Sequence, residues 1–312
     1  MASHPVLNVS NVTKYYGQFK ALDSVSFSVD KGWVYGYLGP NGAGKTTTIR
    51  VMLGLLEPNQ GEVQITGVNP SKDPVHAFQS VGYASELPTL QTFFTGEQLL
   101  DFTGRMFDLP TQTRKEKTGQ LLELVGLKEW GRKKIGTYSK GMIQRLSMAI
   151  GLINDPTVLI MDEPTIGMDP EAAVHFRNLF TGLSKEGKTI FISSHLLDEV
   201  QRICTHVGMI NKGKIIFSGP IEQVLDTFTQ KWVVEAELEK VTEKIVSSLR
   251  KLESVSEVKV DGNRLAIELK EKKDSRGEIS SEIFRQQGVL LNLNLRKITL
   301  EDAYLQALKG GQ

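Results

Sequence analysis

The chain has 312 residues, of which 40% are hydrophobic and 23% charged, with a formal net charge of +1. That is enough for one large domain or two, and it provides no field to favour nucleic acid or an anionic membrane. A single cysteine, Cys204, excludes an intrachain disulfide and fits a reducing compartment, as a small buried side chain in an apolar run. No run approaches the ~18 apolar residues of a bilayer span. The first residues, MASHPVLNVSNV, lack the basic and apolar stretches of a signal peptide, so none is expected.

In chain order, Val6–Tyr15 and Ala21–Val29 alternate as strands around a turn at Gly17. Tyr16 stands at that turn. An aromatic ahead of a nucleotide loop can stack on adenine, although taken alone a tyrosine here is more often sheet filling. Gly32–Leu38 (GWVYGYL) reads as a buried strand, and Thr46–Leu56 has helical spacing that stops near Pro58 and Gly61. Between them lies Gly39-Pro40-Asn41-Gly42-Ala43-Gly44-Lys45-Thr46-Thr47, which fits G-x-x-x-x-G-K-[ST]. Glycines let backbone N–H groups approach phosphate oxygens, and the helix N-terminus adds its positive dipole end. Lys45 supplies a point charge for β/γ-phosphates, and the Thr46 hydroxyl can ligate Mg²⁺.

Gly61–Thr66 and Val81–Ala84 read as further strands. Thr92–Gly151 changes character, with helical patterns at Thr95–Met106 and Thr113–Val125, breaks at Gly126 and Gly136, and a third helix from Ser139 to Ile153. This predicts a helical insertion, about residues 88–152, within one core. Val158–Met161 is then a buried strand that delivers Asp162 and Glu163 at its C-terminal end, where open α/β sheets bind ligands. Asp162 can hold Mg²⁺ directly or through water, and Glu163 can orient or deprotonate an attacking water. The bland alternative is a structural pair of carboxylates, which Lys45 upstream disfavours.

Met168-Asp169-Pro170 forms a turn, Glu171–Leu183 a helix, and Thr189–Ser193 a strand ending at Ser194-His195. Ile203–Ile210 and Lys214–Phe217 complete the core around Lys212-Gly213. Strands alternating with helices predict α/β with a largely parallel sheet. After Pro220 the composition shifts. Strands at Trp232–Leu238, Val258–Val260, Leu265–Leu269 and Val289–Leu295 interleave with helices at Thr242–Leu252 and Glu278–Gln287. The βαββαβ order predicts a small α+β ferredoxin-like domain, with Thr299–Leu308 as an appended helix. The expected domains are 1–225 and 226–312, and the charged stretch Glu268–Arg276 reads as a solvated loop.

Over residues 6–225 these motifs resemble the ATP-binding subunit of an ABC transporter. Tyr16 matches the adenine-stacking aromatic and Gly39–Thr47 the phosphate loop. Tyr138-Ser139-Lys140-Gly141-Met142 is similar to the signature segment, Val158–Pro164 to the Walker-B strand, Met168–Pro170 to the loop linking two active sites, and His195 to the switch histidine. The resemblance implies a P-loop ATPase core with a largely parallel sheet, an antiparallel β portion and a helical subdomain. It implies ATP and Mg²⁺ as cofactors, with Thr46, Glu86 and Asp162 toward the metal. Glu163 would be the base, and His195 would donate a hydrogen bond to the γ-phosphate. Two subunits would face head to tail, with Ser139 and Gly141 of one against the ATP of the other.

The sequence departs from the family pattern at two places. The usual LSGGQ reads YSKGM, and Glu86 stands where most members carry a glutamine that touches Mg²⁺ and water. Both variants, and Leu300–Leu305 (LEDAYL), resemble the branch that serves separate six-helix export permeases of the drug, sodium and polysaccharide type. That implies an ATPase on the cytoplasmic face of the cell membrane, partnered by a permease and by a second ATPase subunit, identical or not. No nucleic-acid partner is expected. A ribosome- or DNA-associated ATPase is disfavoured by the single ATPase domain, the lack of a heptad run and the near-zero charge. Import or envelope-lipid transport is left open. His4, His76, His175 and His206 have no motif context.

Overall fold

A computed structural model describes residues 5–86, 88–164, 170–228, 232–296 and 298–310. Its contacts divide the chain into two compact units, one up to Ile221 and one from Glu222.

The first unit opens with a hairpin, β1 (Leu7–Tyr16) and β2 (Phe19–Val29), followed by β3 (Val34–Leu38), α1 (Lys45–Met52), β4 (Gln60–Ile65), α2 (Pro74–Gln79) and β5 (Val81–Ala84). The helical stretch comprises α3 (Gly96–Met106), α4 (Thr111–Leu124) and α5 (Lys140–Leu152). Then come β6 (Val158–Asp162), α6 (Pro170–Lys185), β7 (Thr189–Ser194), α7 (Leu197–Ile203), β8 (His206–Asn211) and β9 (Lys214–Pro220), with α8 (Ile221–Phe228) beginning at the boundary between the units.

Two sheets result: a three-stranded antiparallel one, β2-β1-β4, and a six-stranded one, β5-β6-β7-β3-β8-β9, parallel except at β8/β9. The parallel strands are buried on both faces, hence their unbroken apolar runs. On β6, Val158 and Ile160 join a cluster with Tyr35, Tyr37, Phe191, Ile49 and the inner residues of β1 and β4. Leu159 and Met161 point the other way, into a cluster with Leu146, Met148, Phe176 and Phe180 of α5 and α6. Cys204 packs against that second cluster, and burial pushes its thiol pKa up.

Three local differences from the sequence reading have physical causes. Helix α1 stops at Met52 rather than Leu56, because Gly54 turns left-handed and Leu55 N and Leu56 N both return to the Arg50 carbonyl. Helix α2 had not been expected: it is six residues long, with Pro74 at its start and the Asp73 carboxylate accepting from His76 N at 3.3 Å. Ile203 ends helix α7, and the strand expected from that residue begins only at His206.

The second unit comprises β10 (Val233–Leu238), α9 (Glu243–Leu249), β11 (Val255–Asp261), β12 (Arg264–Leu269), α10 (Arg276–Arg285), β13 (Leu290–Arg296) and α11 (Leu300–Gly310). Its four-stranded sheet runs β11-β12-β10-β13, every neighbour antiparallel, which is the ferredoxin-like arrangement. Val234, Ala236, Ile267 and Leu269 form its core with Ile245, Leu249, Ile279 and Ile283. The Thr242 hydroxyl caps α9, which ends at Leu249, short of the expected Leu252.

Candidate nucleotide site

β6, β7 and β3 are adjacent and parallel, so their C-terminal ends open on one edge of the sheet. Leu38 lies beside Ser194 and Asp162 beside Ser193. The topology therefore brings the glycine loop, the Asp162-Glu163 pair and His195 together from three distant stretches.

The loop is shaped by what packs behind it. Gly44, at φ 114°, is the N-cap of α1, and no side chain caps the helix. A Cβ there would sit 2.8 Å from Leu22 Cδ2 and 3.0 Å from the Ala21 carbonyl oxygen. The first-turn N–H groups of α1 have no capping side chain, as an anion site requires.

Lys45 is 6% exposed and Glu163 5%. The lysine Nζ donates to the carbonyls of Gly39 at 2.7 Å and Pro40 at 3.3 Å, and lies 3.1 Å from Glu163 Oε1. The other carboxylate oxygen, Oε2, is 2.9 Å from His195 Nδ1 and accepts from His195 N at 3.3 Å. Glu163 thus spans the loop lysine and the histidine. Its backbone is left-handed (φ 49°), a conformation that costs on the order of 1–2 kcal/mol in a residue with a Cβ. Two hydrogen bonds from Glu163 N, to Ser193 O and Ser193 Oγ at 3.1 Å each, hold it there. The Ser193 hydroxyl in turn donates to Asp162 Oδ1.

A cavity of about 330 Å³ gathers Tyr16, Pro40, Asn41, Gly42, Gly44, Lys45, Thr46, Thr47, Glu86, Glu163 and His195. Gly39 and Ala43 complete the loop behind it, and Asp162 lies buried beneath. Tyr16 is exposed and is not sheet filling. Phe19, which the sequence reading passed over, also lines the cavity and is the cross-strand partner of Tyr16. Its signal was available in the sequence: a second aromatic just across the Gly17 turn. Ser193 was missed as well, because nothing local marks it as the residue that orients Asp162.

Ser139 and Gly141 lie outside this cavity. Ser139 is the N-cap of α5, its hydroxyl accepting from Met142 N at 3.3 Å. Lys140 is exposed, whereas Met142 is buried in the α5 core, so an apolar residue fits where the family usually has glutamine. The chain at Glu86 is tied to α5 through Gln144 Nε2, which donates to the Ser85 carbonyl at 3.2 Å. Met168 and Asp169 lie outside the described residues. No cluster of three or more His, Cys, Asp or Glu able to hold a metal occurs among the described residues. Thr46, Asp162 and Glu86 are hard oxygen donors of the kind Mg²⁺ takes alongside phosphate oxygens, so the donor chemistry fits that ion.

The family model described as "ABC transporter" matches residues 22–166. The bacitracin transport ATP-binding protein BcrA of Bacillus licheniformis is 33% identical over 309 residues, 98% of this chain and 98% of that one. The chain belongs to the ABC transporter ATP-binding family. As an ABC ATPase it is also similar to the Nod factor export ATP-binding protein I of Ralstonia nicotianae, 37% identical over 225 residues, 72% of this chain and 70% of the relative. Among solved structures, the ATP-binding subunit of an ABC transporter aligns with TM-score 0.67 at 27% identity, covering 72% of this chain and 93% of the other. An ATP-binding cassette in its ADP conformation aligns with TM-score 0.64 at 28% identity, covering 71% and 93%. The likeness to BcrA extends through the second unit of this ATPase.

Proposed function

We propose that this ATPase hydrolyses ATP as one half of a head-to-tail pair and drives a separate membrane permease, in export. The observation that carries the reading is the junction of Lys45, Glu163 and His195 in one cavity at the end of a phosphate-loop strand.

The phosphates of ATP lie on the loop amides and compete with Glu163 for Lys45. Once released, Glu163 takes a proton from the water that attacks the γ-phosphorus, as the bond to the leaving ADP oxygen breaks. His195 reads the γ-phosphate. Tyr16 and Phe19 offer ring faces to the base. Mg²⁺ would be held by Thr46 and Asp162, with Glu86 direct or through water, and would neutralise charge on the β- and γ-oxygens. Ser139 and Gly141 serve the ATP of the second subunit, identical to this chain or not. In this reading residues 1–225 are the ATP-binding domain and 226–312 an accessory one.

A permease partner is supported by two features. No helix among the described residues is long and apolar enough to cross a membrane. The helical stretch also leaves Phe93 and Phe102 exposed around Phe94, with Met106 exposed four residues further along α3, an apolar group suited to a docking partner. That partner would hold the ATPase at the cytoplasmic face of the cell membrane. The direction of transport follows the names of the relatives, which include Nod factor export and linearmycin resistance ATP-binding proteins.

The test is Glu163→Gln, which keeps the side-chain size but cannot accept the proton. Turnover should fall by about 10²–10⁴-fold, and ATP should stay bound through gel filtration. Adding Gly141→Glu, outside the cavity of its own chain, should release that ATP. Wild-type hydrolysis in Glu163→Gln would remove Glu163 as the base. Retention indifferent to Gly141→Glu would remove the head-to-tail pair.

A further inference from the structure

The two edges of the second unit's sheet are built differently. β11 is guarded: Glu257, Lys259 and Asp261 project from it, and of its inward residues Val255 and Val258 are 3% and 2% exposed, only Val260, next to the hairpin turn, being open at 49%. β13, seven residues reading LLNLNLR, has no proline, lysine or acid, and pairs only with β10 among the described residues. Its inward Leu290, Leu293 and Leu295 are only partly buried, so the core lies half open along this edge. Exposed Phe284, Val289 and Leu291 extend the apolar surface beside it, with Leu291 at 63% exposure. The strand's one charge, Arg296, stands at the far end beside Glu235, and a leucine-rich edge otherwise free of charge is a template for another strand, which natural proteins guard unless it is used.

We propose that β13 pairs with β13 of a second copy of this chain, joining two accessory sheets into one without nucleotide. The strand is complementary to itself about Leu293. In an antiparallel, two-fold arrangement Leu293 faces its own copy and Asn292 faces Asn294 of the second copy, within the regular stretch of β13 that begins at Asn292, after the register shift against β10. Asn292 and Asn294 share the outer face of the sheet, opposite Glu237 and Glu235 on β10, so amide would meet amide there. The leucines would close the open side of the core. No like charges meet in this register, because the two copies of Arg296 lie at opposite ends of the seam. The guarded β11 edge offers no such seam: on its outer face Glu257 would oppose Asp261 of a second copy about Lys259.

The experiment uses the full chain without nucleotide. Asn292→Cys and Asn294→Cys, both at exposed positions, should cross-link when mixed and oxidised, because they oppose each other only between copies. Each variant alone should cross-link at a tenth of that level or less, since its cysteines lie on a diagonal too long for a disulfide. Cross-linking in the mixture no greater than in either variant overturns the pairing. By sedimentation equilibrium, Asn292→Lys/Asn294→Lys should weaken self-association at least about tenfold, and mixing it with Asn292→Glu/Asn294→Glu should restore it. A wild-type chain that stays monomeric at roughly 100 μM, as it would if the edge were kept for a strand of another protein, also overturns it. Binding of a fluorescent ATP analogue should be the same in all these variants. Failure here therefore reads separately from failure of Glu163→Gln to retain ATP.

Discussion

Helices α1 and α5 both begin at small residues on the surface of the same unit, and they treat their first N–H groups in opposite ways. At α1 no side chain caps the helix, Gly44 is pressed against Leu22 and Ala21, and Lys45 closes the space with Glu163. At α5 Ser139 caps its own helix, and a Cβ on Gly141 would meet nothing within 4 Å. The first terminus is constrained by its own chain. Among the described residues nothing crowds Gly141, so in the proposed head-to-tail pair the demand for a glycine would come from the second subunit.

The largest effect should follow from breaking the enclosed terminus. Lys45→Ala should abolish ATP hydrolysis and ATP binding. It also strands the buried Glu163 carboxylate without its cation, so unfolding by denaturant should show a loss of about 3 kcal/mol. Lys45→Ala/Glu163→Gln should regain most of that stability and none of the ATP binding. A Lys45→Ala variant that hydrolyses ATP normally would end the phosphate-loop assignment.

Next in size, Gly44→Ala should cost about 1–3 kcal/mol in backbone strain, before the contact with Leu22 is counted. Gly141→Ala sharpens the contrast. In the isolated chain it should leave stability unchanged or raise it by up to about 1 kcal/mol, through helix propensity. In the Glu163→Gln background it should nonetheless weaken ATP retention. Equal destabilisation by the two alanines would erase the distinction drawn between the helices.

Ser139→Ala should have the smallest effect, a loss of about 1 kcal/mol for the missing cap, visible as a lower melting temperature. An unchanged melting temperature would mean that the Ser139–Met142 bond adds nothing to α5.

Much of this was legible in the sequence, and what was not has identifiable causes. The strands β3, β6 and β7 announced themselves because burial on both faces demands unbroken apolar runs. The glycine loop was readable because its residue types are dictated by local backbone geometry. Helix α2 was hidden because six residues are too few to establish a period, although Asp73-Pro74 was a start signal. Glu163 bridging Lys45 and His195 was not readable at all. It depends on strand order in the sheet, which places β6 and β3 on either side of β7. Ser193 belongs to the same class, since it acts across a strand pairing of which sequence spacing carries no record, whereas Phe19 was legible as a second aromatic across the Gly17 turn.

The contact between His195 Nδ1 and Glu163 Oε2 has a consequence for protons. An ionised carboxylate can only accept, so Nδ1 must carry the hydrogen. In the neutral ring that leaves Nε2 as a bare lone pair, which repels a phosphate oxygen instead of binding it. For His195 to grip the γ-phosphate through Nε2, the ring must either gain a second proton or leave Glu163 and change tautomer. In the proposed mechanism the carboxylate that receives a proton from water is also the one that fixes this tautomer. In that mechanism, arrival of ATP would pose one coupled choice of proton positions across Glu163 and His195.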